Sequence, residues 1–334
     1  MDIYNRVRTS LTSWANETPL PSTVQTYPKF QSWHHYDPIQ KWIPTRPNST
    51  SDHPRPMRDD TDLKLLTWNV DAGAARPQER ITEVIKLISR LDNVDIVFFQ
   101  EVSREALHQI LENTHIRESW FSSECDDTAW GRQFFATMTL LSKSRFASHR
   151  DTGINNATLG PIWRVQFPSH FGRDALCCDI FVPNYDEPGS STRTRLVNVH
   201  LDSLPIKPSH RPQQLSIVSE FLRAVGHGLV AGDFNPVLDE DASLVEQNGL
   251  KDVWPLLRPE DPGFTWGVDG KQRFPPCRLD KVAILGLAPR NIEILEPQTL
   301  QNPDSSETGQ TDTEKPIHWS DHHGLLCSFG LVAE

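Results

Sequence analysis

Short apolar runs alternate with amphipathic stretches along the chain from Leu63 onward. LKLLTWNV and VDIVFFQEV have the length and composition of strands, and the second is typical of a strand buried on both faces. QERITEVIKLISRL instead places Ile81, Val84 and Ile88 three and four positions apart, which predicts a helix. SREALHQILENT predicts a second helix that begins after Ser103.

The pattern continues through the middle and the C-terminal part of the chain. The runs FFATMTLLSKS, DALCCDIFV, TRLVNVHLDS, HGLVAGDFNPV, RLDKVAIL and HHGLLCSFGLV predict strands. HRPQQLSIVSEFLRAVG predicts a helix with Gly226 at its C-terminal cap. Strands outnumber helices and there is no internal repeat. We therefore expect an α/β (α+β) domain in which two packed, mixed β-sheets are flanked by helices.

The first sixty residues have a different character. They are polar and rich in proline, with one aromatic cluster in KFQSWHHYDPIQKWIP that contains Trp33, Tyr36 and Trp42. We expect these rings to pack on the main domain as part of a short appendage. TRPNSTSDHPRPMRDD predicts a linker, and LQNPDSSETGQTDTEKP predicts a surface loop. The predicted division is an appendage and linker over 1–60 and a catalytic domain over 61–334.

Composition narrows the class of protein. Of the 334 residues, 37% are hydrophobic and 23% are charged, as in an ordinary soluble protein. No apolar run approaches the ~20 residues that cross a bilayer, and the first residues lack the apolar core of a secretory signal. The five cysteines include no CxxC pair, so we expect a reducing, intracellular location, either nucleus or cytoplasm.

The net charge of −11 argues against broad, non-specific attraction to a phosphate backbone. A local basic patch, or a bound metal that supplies the positive charge, remains compatible with an anionic substrate.

Several predicted strands share one feature, because each begins or ends in carboxylate, amide or imidazole side chains. Buried carboxylates are costly unless they are paired or bound to a metal. If the two sheets bring these ends together, they form a cluster of oxygen ligands with two imidazoles. Its members are Asn69, Glu101, His200, Asp233, Asn235, Asp280, Asp321 and His322.

Such a cluster suits Mg²⁺, with Mn²⁺ as a second possibility, since both prefer oxygen ligands. The imidazoles would stabilise charge while water attacks a phosphate ester. Each motif alone is more often an ordinary turn or salt-bridged position. Their occurrence together at strand ends favours the catalytic interpretation.

TWN, QE, HLDS, GDFN, RLD and SDH in this order resemble the endonuclease/exonuclease/phosphatase superfamily. The resemblance implies the DNase I-like fold, a four-layer sandwich with its active site at the upper edge of two central sheets. TWNVDAG, FFQEV, GFTW, CRLDKVAIL and SDHHGLLC are similar to the tyrosyl-DNA phosphodiesterases of that superfamily. The similarity covers residues 63–334. It implies that the substrate is a nucleic-acid end, and specifically a 5′-tyrosyl adduct on DNA that is removed during DNA repair.

The resemblance also implies roles for individual residues. Glu101 would be the principal metal ligand, with Asn69 and Asp321 near the metal. Asp233 would orient or deprotonate the attacking water, and Asn235 would hold that water or the scissile phosphate.

His200 and His322 would contact phosphate oxygens in the transition state, and Asp280 would orient His322. Trp266 would stack against a nucleic-acid end. The chain departs from the pattern after GDFN, where residues 236–238 read Pro-Val-Leu and an expected arginine is absent.

Two alternatives stay open at this point. One keeps the fold and the reaction but changes the substrate to an RNA 3′ end, as in a deadenylase-like exonuclease, or to a small or lipid phosphate. The other is an inactive binding module that uses the same cleft. We expect a monomer that does not enter membranes.

Overall fold

The fold is described from a computed structural model, which describes residues 17–22, 27–45, 62–147, 157–184, 190–301 and 316–330. Nearly all of the predicted linker at 45–60 and of the predicted surface loop at 300–316 lies outside these ranges, so both stay predictions.

The first sheet has the strand order β1-β9-β10-β11-β12-β14-β13, with β8 beside β9. β11 and β12 run parallel, and the other neighbours on that path are antiparallel. The strands are β1 Lys29–Gln31, β8 Phe146–Ala147, β9 Ala157–Gln166, β10 Asp174–Pro183, β11 Ser191–His200, β12 Gly228–Asp233, β13 Lys251–Asp252 and β14 Asp280–Leu285.

The second sheet has the order β15-β16-β4-β5-β7-β6-β2-β3, and β4 and β5 are its parallel pair. The strands are β2 His34–Asp37, β3 Lys41–Pro44, β4 Leu63–Asn69, β5 Ile96–Ser103, β6 Trp120–Ser122, β7 Phe135–Ser142, β15 Ala288–Leu295 and β16 Gly324–Gly330.

Successive side chains of the central strands enter different layers of the core. Leu65 packs in the cluster between the two sheets, whereas Leu66 packs in the cluster between the second sheet and its helices. In the first sheet, Cys178 faces the inter-sheet core and Cys177 faces the helix on the outside. Both faces of these strands are buried, which explains why their sequences are nearly continuous apolar runs.

All but the last of the described helices pack on the outer faces of the sheets, whereas the last one enters the inter-sheet cluster through Val253 and Trp254. These helices are α1 Pro77–Arg90, α2 Arg104–Glu112, α3 Thr114–Ser119, α4 Arg211–Arg223, α5 Leu244–Gln247 and α6 Val253–Leu257. Ser103 caps α2 by accepting a hydrogen bond from the Ala106 backbone at 3.2 Å. Gly226, at φ 86°, follows α4 and donates to the Leu222 carbonyl at 2.9 Å, as predicted. None of the described helices is long and apolar enough to span a bilayer. The predicted α+β sandwich with two mixed sheets is confirmed.

Three short strands within residues 29–44 are built into the two sheets. β1 pairs with β9, and β2 pairs with β6 through His34 and Ser122. Trp33 is fully buried in the inter-sheet core. Trp42 packs beside the outer cluster of the second sheet. Residues 29–44 therefore extend the sheets rather than forming an appendage that rests on them. The predicted boundary near residue 60 itself lies outside the described residues.

Candidate active site

The polar strand ends meet at one edge of the sandwich. Parallel pairing sets Asn69 opposite Gln100 in one sheet and His200 opposite Asp233 in the other. Antiparallel β14 begins opposite the end of β12, so Asp280 faces Asp233. Residues 321 and 322 precede β16, which runs antiparallel to β4 and delivers them to the same edge. This convergence is what the strand-end pattern predicted.

Two local features of the backbone direct the key side chains. β5 carries a bulge between Phe99 and Val102, and Glu101 within it has φ 55°. A positive φ is rare for glutamate, and such conformations concentrate at functional sites. Gly232, which precedes Asp233, has φ 136°, and a Cβ there would lie 2.0 Å from the Val199 carbonyl oxygen. The glycine of GDFN is therefore required for β11 and β12 to approach closely.

Asn69 links the carboxylates that belong to different sheets. Its Nδ2 lies 3.1 Å from Asp233 Oδ2 and 3.4 Å from Glu101 Oε1. His200 Nε2 completes the group at 3.5 Å from Asp233 Oδ2 and 3.8 Å from Glu101 Oε1. The backbone N–H of Ala72 donates to the other Glu101 oxygen at 3.0 Å. Residues predicted from four separate motifs are thus within direct contact.

His322 forms a buried ion pair with Asp280. Its Nδ1 lies 2.8 Å from Asp280 Oδ2, and its Nε2 lies 3.9 Å from Asp233 Oδ2. Burial alone would lower the pKa of this imidazole, but the nearby carboxylates, Asp280 above all, raise it to about 10. His322 is therefore protonated at neutral pH and donates from Nδ1 to Asp280, which leaves Nε2–H directed to the site.

His200 and Asp233 respond differently to the same burial. Desolvation lowers the pKa of His200 well below its usual value, and the positive charges of Arg173 and His322 add to this effect. His200 is therefore neutral. Desolvation also raises the pKa of Asp233 to about 7, although His322 opposes the shift. A carboxylate with that pKa accepts a proton far more readily than an exposed aspartate.

The remaining predicted residues also lie at this edge. Asn235 donates from its backbone N–H to Asp233 Oδ1 at 2.9 Å and from Nδ2 to the Leu201 carbonyl at 3.2 Å. Trp266 donates from its indole nitrogen to Asp321 Oδ2 at 2.9 Å and is half-buried at the mouth of the site. The structure thus brings all nine predicted residues together, while the role of each stays a prediction.

Several residues of the site were missed by the sequence analysis. Trp68 donates to the His322 carbonyl at 2.9 Å, and Ser320 donates from Oγ to the Asn69 carbonyl at 2.6 Å. These bonds join the end of β4 to the segment before β16. Burial raises the pKa of Asp71, and the negative charges of Asp321 and Glu101 raise it further, so these three carboxylates interact electrostatically. Asp71 is part of TWNVDAG, but only the structure shows that its charge interacts with those of Asp321 and Glu101.

The sequence analysis also missed Arg173, a positively charged side chain beside the site. The guanidinium of Arg173 lies 4.8 Å from the ring centre of Phe135, and that ring stacks on His200 at 5.9 Å. Arg173, Phe135 and His200 line a cleft of about 430 Å³ together with Phe134 and Phe171. Within the described residues the buried Nε of Arg173 has no hydrogen-bond partner. In the sequence Arg173 is a single basic residue just before a predicted strand, and no motif includes it.

The donor set at this edge fits a hard divalent cation. The carboxylates of Glu101, Asp321 and Asp71 interact through their charges and are oxygen donors of the kind Mg²⁺ prefers. Asn69 directs its Nδ2 to Glu101, while its Oδ1 accepts the Asp71 backbone N–H at 3.0 Å. Donor atoms of Asp233, Asp280 and His322 also lie within 4.8 Å of one another. That group is the poorer candidate, because a protonated imidazole hydrogen-bonded to Asp280 has no free lone pair for a metal.

Comparison with known proteins identifies the family of the chain. The Endonuclease/Exonuclease/phosphatase family profile matches residues 66–322, more than half of the chain and every motif of the site. The chain belongs to this family. Its members are hydrolases that act on phosphodiester bonds, and they generally use divalent metal ions. A search of curated proteins by sequence found no match.

Solved structures of family members share the fold. A structure of D. rerio TDP2 complexed with single-strand DNA product has a TM-score of 0.60 and 20% identity, over 81% of this chain and 100% of the other. The structure of TDP2 from C. elegans has a TM-score of 0.58 and 20% identity, over 80% of this chain and 75% of the other. The structure of sphingomyelinase C from Streptomyces griseocarneus has a TM-score of 0.50 and 14% identity, over 80% of this chain and 99% of the other. At these identities the likeness shows the shared fold.

Proposed function

We propose that this protein is a Mg²⁺-dependent phosphodiesterase that acts at nucleic-acid ends, with 5′-tyrosyl DNA as the leading substrate. One observation carries the proposal: the imidazoles of His200 and His322 flank the Asp233 carboxylate, with His200 Nε2 at 3.5 Å and His322 Nε2 at 3.9 Å from Oδ2. A general base between two imidazole donors suits attack of water on phosphorus. The DNA complex of D. rerio TDP2 supports the choice of substrate.

Asp233 is the proposed general base. Asn69 Nδ2 at 3.1 Å and the Asn235 backbone N–H at 2.9 Å hold its two oxygens in place. Its pKa of about 7, raised by burial, lets it take a proton from water at neutral pH. The water oxygen then bonds to phosphorus as the bond to the leaving oxygen breaks.

The two imidazoles are the proposed phosphate contacts. His322 donates from Nε2 while Asp280 holds Nδ1 at 2.8 Å. The nearby Glu101 and Asp233 oxygens place the proton of neutral His200 on Nε2, from which it donates to a phosphate oxygen. Both donors are buried and fixed before substrate arrives, so little reorganisation accompanies the reaction.

Glu101 and Asp321 are the proposed Mg²⁺ ligands, with Asp71 close by. Asn69 is proposed to lie near the metal, where its Nδ2 holds Glu101 Oε1 at 3.4 Å. When bound, Mg²⁺ would neutralise negative charge on the phosphate oxygens. Arg173 supplies further positive charge beside His200 and compensates for the arginine that is absent after GDFN. Trp266, which holds Asp321 at 2.9 Å, also offers its ring to a terminal base.

The test is hydrolysis of a single-stranded 5′-tyrosyl oligonucleotide with Mg²⁺, with EDTA, and with Asp233→Asn. We expect metal-dependent release of tyrosine that the substitution lowers by at least about 100-fold. Parallel assays with poly(A), abasic DNA, phosphoinositides and sphingomyelin would reveal a different phosphate ester as substrate. Cleavage of none of them would refute the proposal.

A thermal melt separates an enzyme from an inactive binding module without any substrate. Millimolar Mg²⁺ should raise the melting temperature of the wild-type protein but not that of Glu101→Gln, because only binding to the folded state stabilises it. Identical curves with and without Mg²⁺ would favour the binding module.

A further inference from the structure

The loop between β9 and β10 carries Arg173 and is tied to one buried carboxylate. Ser169 donates from Oγ to Asp202 Oδ1, and the His170 backbone donates to Asp202 Oδ2 at 2.9 Å. The same Ser169 oxygen accepts the backbone N–H groups of Phe171 and Arg173, both at 3.0 Å. One serine–aspartate pair therefore binds the N–H groups of His170, Phe171 and Arg173, while Gln133 and Gln166 bind the Gly172 carbonyl.

Asp202 is itself rigidly anchored. It is the aspartate of HLDS and is 2% exposed. The Gln214 side chain on α4 donates to Asp202 Oδ1 at 3.0 Å and accepts the Asp202 backbone N–H at 3.0 Å. Arg211 donates to the Asp202 carbonyl at 2.7 Å. The carboxylate is directed at the loop through hydrogen bonds that lock its rotamer.

The side chain of Arg173 depends on this backbone for its position. Its guanidinium rests on Phe135 at 4.8 Å and on Phe171 at 5.6 Å, and ring faces hold a cation with little directionality. Its buried Nε has no hydrogen-bond partner among the described residues. The directional restraint on Arg173 therefore comes from its main chain: Ser169 accepts its N–H, and its carbonyl accepts from the Phe167 N–H at 3.0 Å and from Gln166 Nε2 at 2.9 Å.

We propose that Ser169 and Asp202 form a positioning pair that holds Arg173 beside His200 and promotes hydrolysis through Arg173. The inference rests on the proposed function. It gives the aspartate of HLDS a role separate from that of His200, two residues earlier. Without the pair, the loop must be ordered when substrate binds, and supports of this kind are worth about 10- to 100-fold in activity.

A double-mutant cycle tests the proposal. Ser169→Ala and Asp202→Asn should each lower kcat/KM by about 10- to 100-fold on the phosphodiester that the wild type cleaves. In an Arg173→Ala background the same substitutions should lower kcat/KM by less than about twofold, because the side chain through which they act is no longer present. Ser169→Thr keeps the hydroxyl and should retain most activity. Ser89→Ala, on the exposed face of α1, is the matched control.

The same cycle is also measured as the Kd for a 5′-phosphorylated oligonucleotide, by fluorescence anisotropy, which requires no turnover. A wild type that cleaves no phosphodiester but shows the coupled losses in Kd would overturn the proposed function and keep the positioning pair. Losses that persist undiminished in the Arg173→Ala background, or normal kcat/KM and Kd in Ser169→Ala, would overturn the pair. Ser169→Ala decides the question even if Asp202→Asn fails to fold.

Discussion

Replacing Asp280 by asparagine isolates the buried ion pair at the centre of the site. In the folded protein Asp280, with smaller contributions from Asp233 and Asp321, raises the pKa of His322 to about 10, against 6.5 in the unfolded chain. A raised pKa stabilises the fold fully below pH 6.5, and this stabilisation is lost as the pH rises through about 10. At ~1.4 kcal/mol per pH unit, about 4 kcal/mol remains at pH 7.

In Asp280→Asn the burial that lowers the pKa of His322 is no longer offset by its largest opposing charge. The imidazole should be mostly neutral at pH 7. We therefore expect the free energy of unfolding to fall by about 3 to 5 kcal/mol at pH 7, as for other broken buried pairs. The difference from wild type should shrink between pH 7 and 10, where the native imidazole loses its own proton.

The assay is urea unfolding followed by tryptophan fluorescence at pH 7, 8.5 and 10, in EDTA so that no cation occupies the site. Asp92→Asn, at an exposed position after α1, is the control and should change the free energy by less than about 0.5 kcal/mol. Equal pH slopes for wild type and Asp280→Asn would show that this carboxylate does not keep His322 protonated.

Three further results are expected. A Cβ at Gly324 would lie 2.7 Å from the Trp68 ring, so Gly324→Ala should cost about 1 to 3 kcal/mol of stability in urea unfolding; unchanged stability would contradict this packing. Burial lowers the pKa of His34 to about 4. The free energy of unfolding should therefore fall by about 1 to 3 kcal/mol as the pH drops from 6.5 towards 4. His34→Gln should make the free energy of unfolding less dependent on pH in this range. Finally, buried thiols resist labelling, so a maleimide should modify the native protein at Cys277 and more slowly at Cys125, where burial raises the pKa to about 12. If mass spectrometry found label on Cys177 first, the burial of this thiol in the core would be contradicted.

The central strands and the catalytic motifs could be predicted because both are local patterns. LKLLTWN and IVFFQEVS are apolar over the length of a strand, and the polar residues that follow occupy strand ends. Parallel neighbours bring such ends to one edge, so Asn69, Glu101, His200 and Asp233 could be grouped without coordinates.

Contacts between distant segments were decided only by the tertiary structure. The hairpin of β2 and β3 is short and half-polar, and its place in the second sheet depends on pairing with β6, whose partner residue Ser122 is 88 positions from His34. β15 has exposed residues on one face, so its sequence lacks the apolar run that identifies a buried strand. Such pairing depends on which edges are free after the core has formed.

The same distinction holds within the site. The residue types of the acid–base and metal-binding groups were predictable from the sequence, because their chemistry requires carboxylates, amides and imidazoles in any fold. The protonated state of His322, the neutral state of His200 and the place of Arg173 were not, since each is set by burial and by charges from other strands. The sequence by itself determined which chemical groups are present at the strand ends. Only the packing of two sheets determined how each group is charged and which cation faces it.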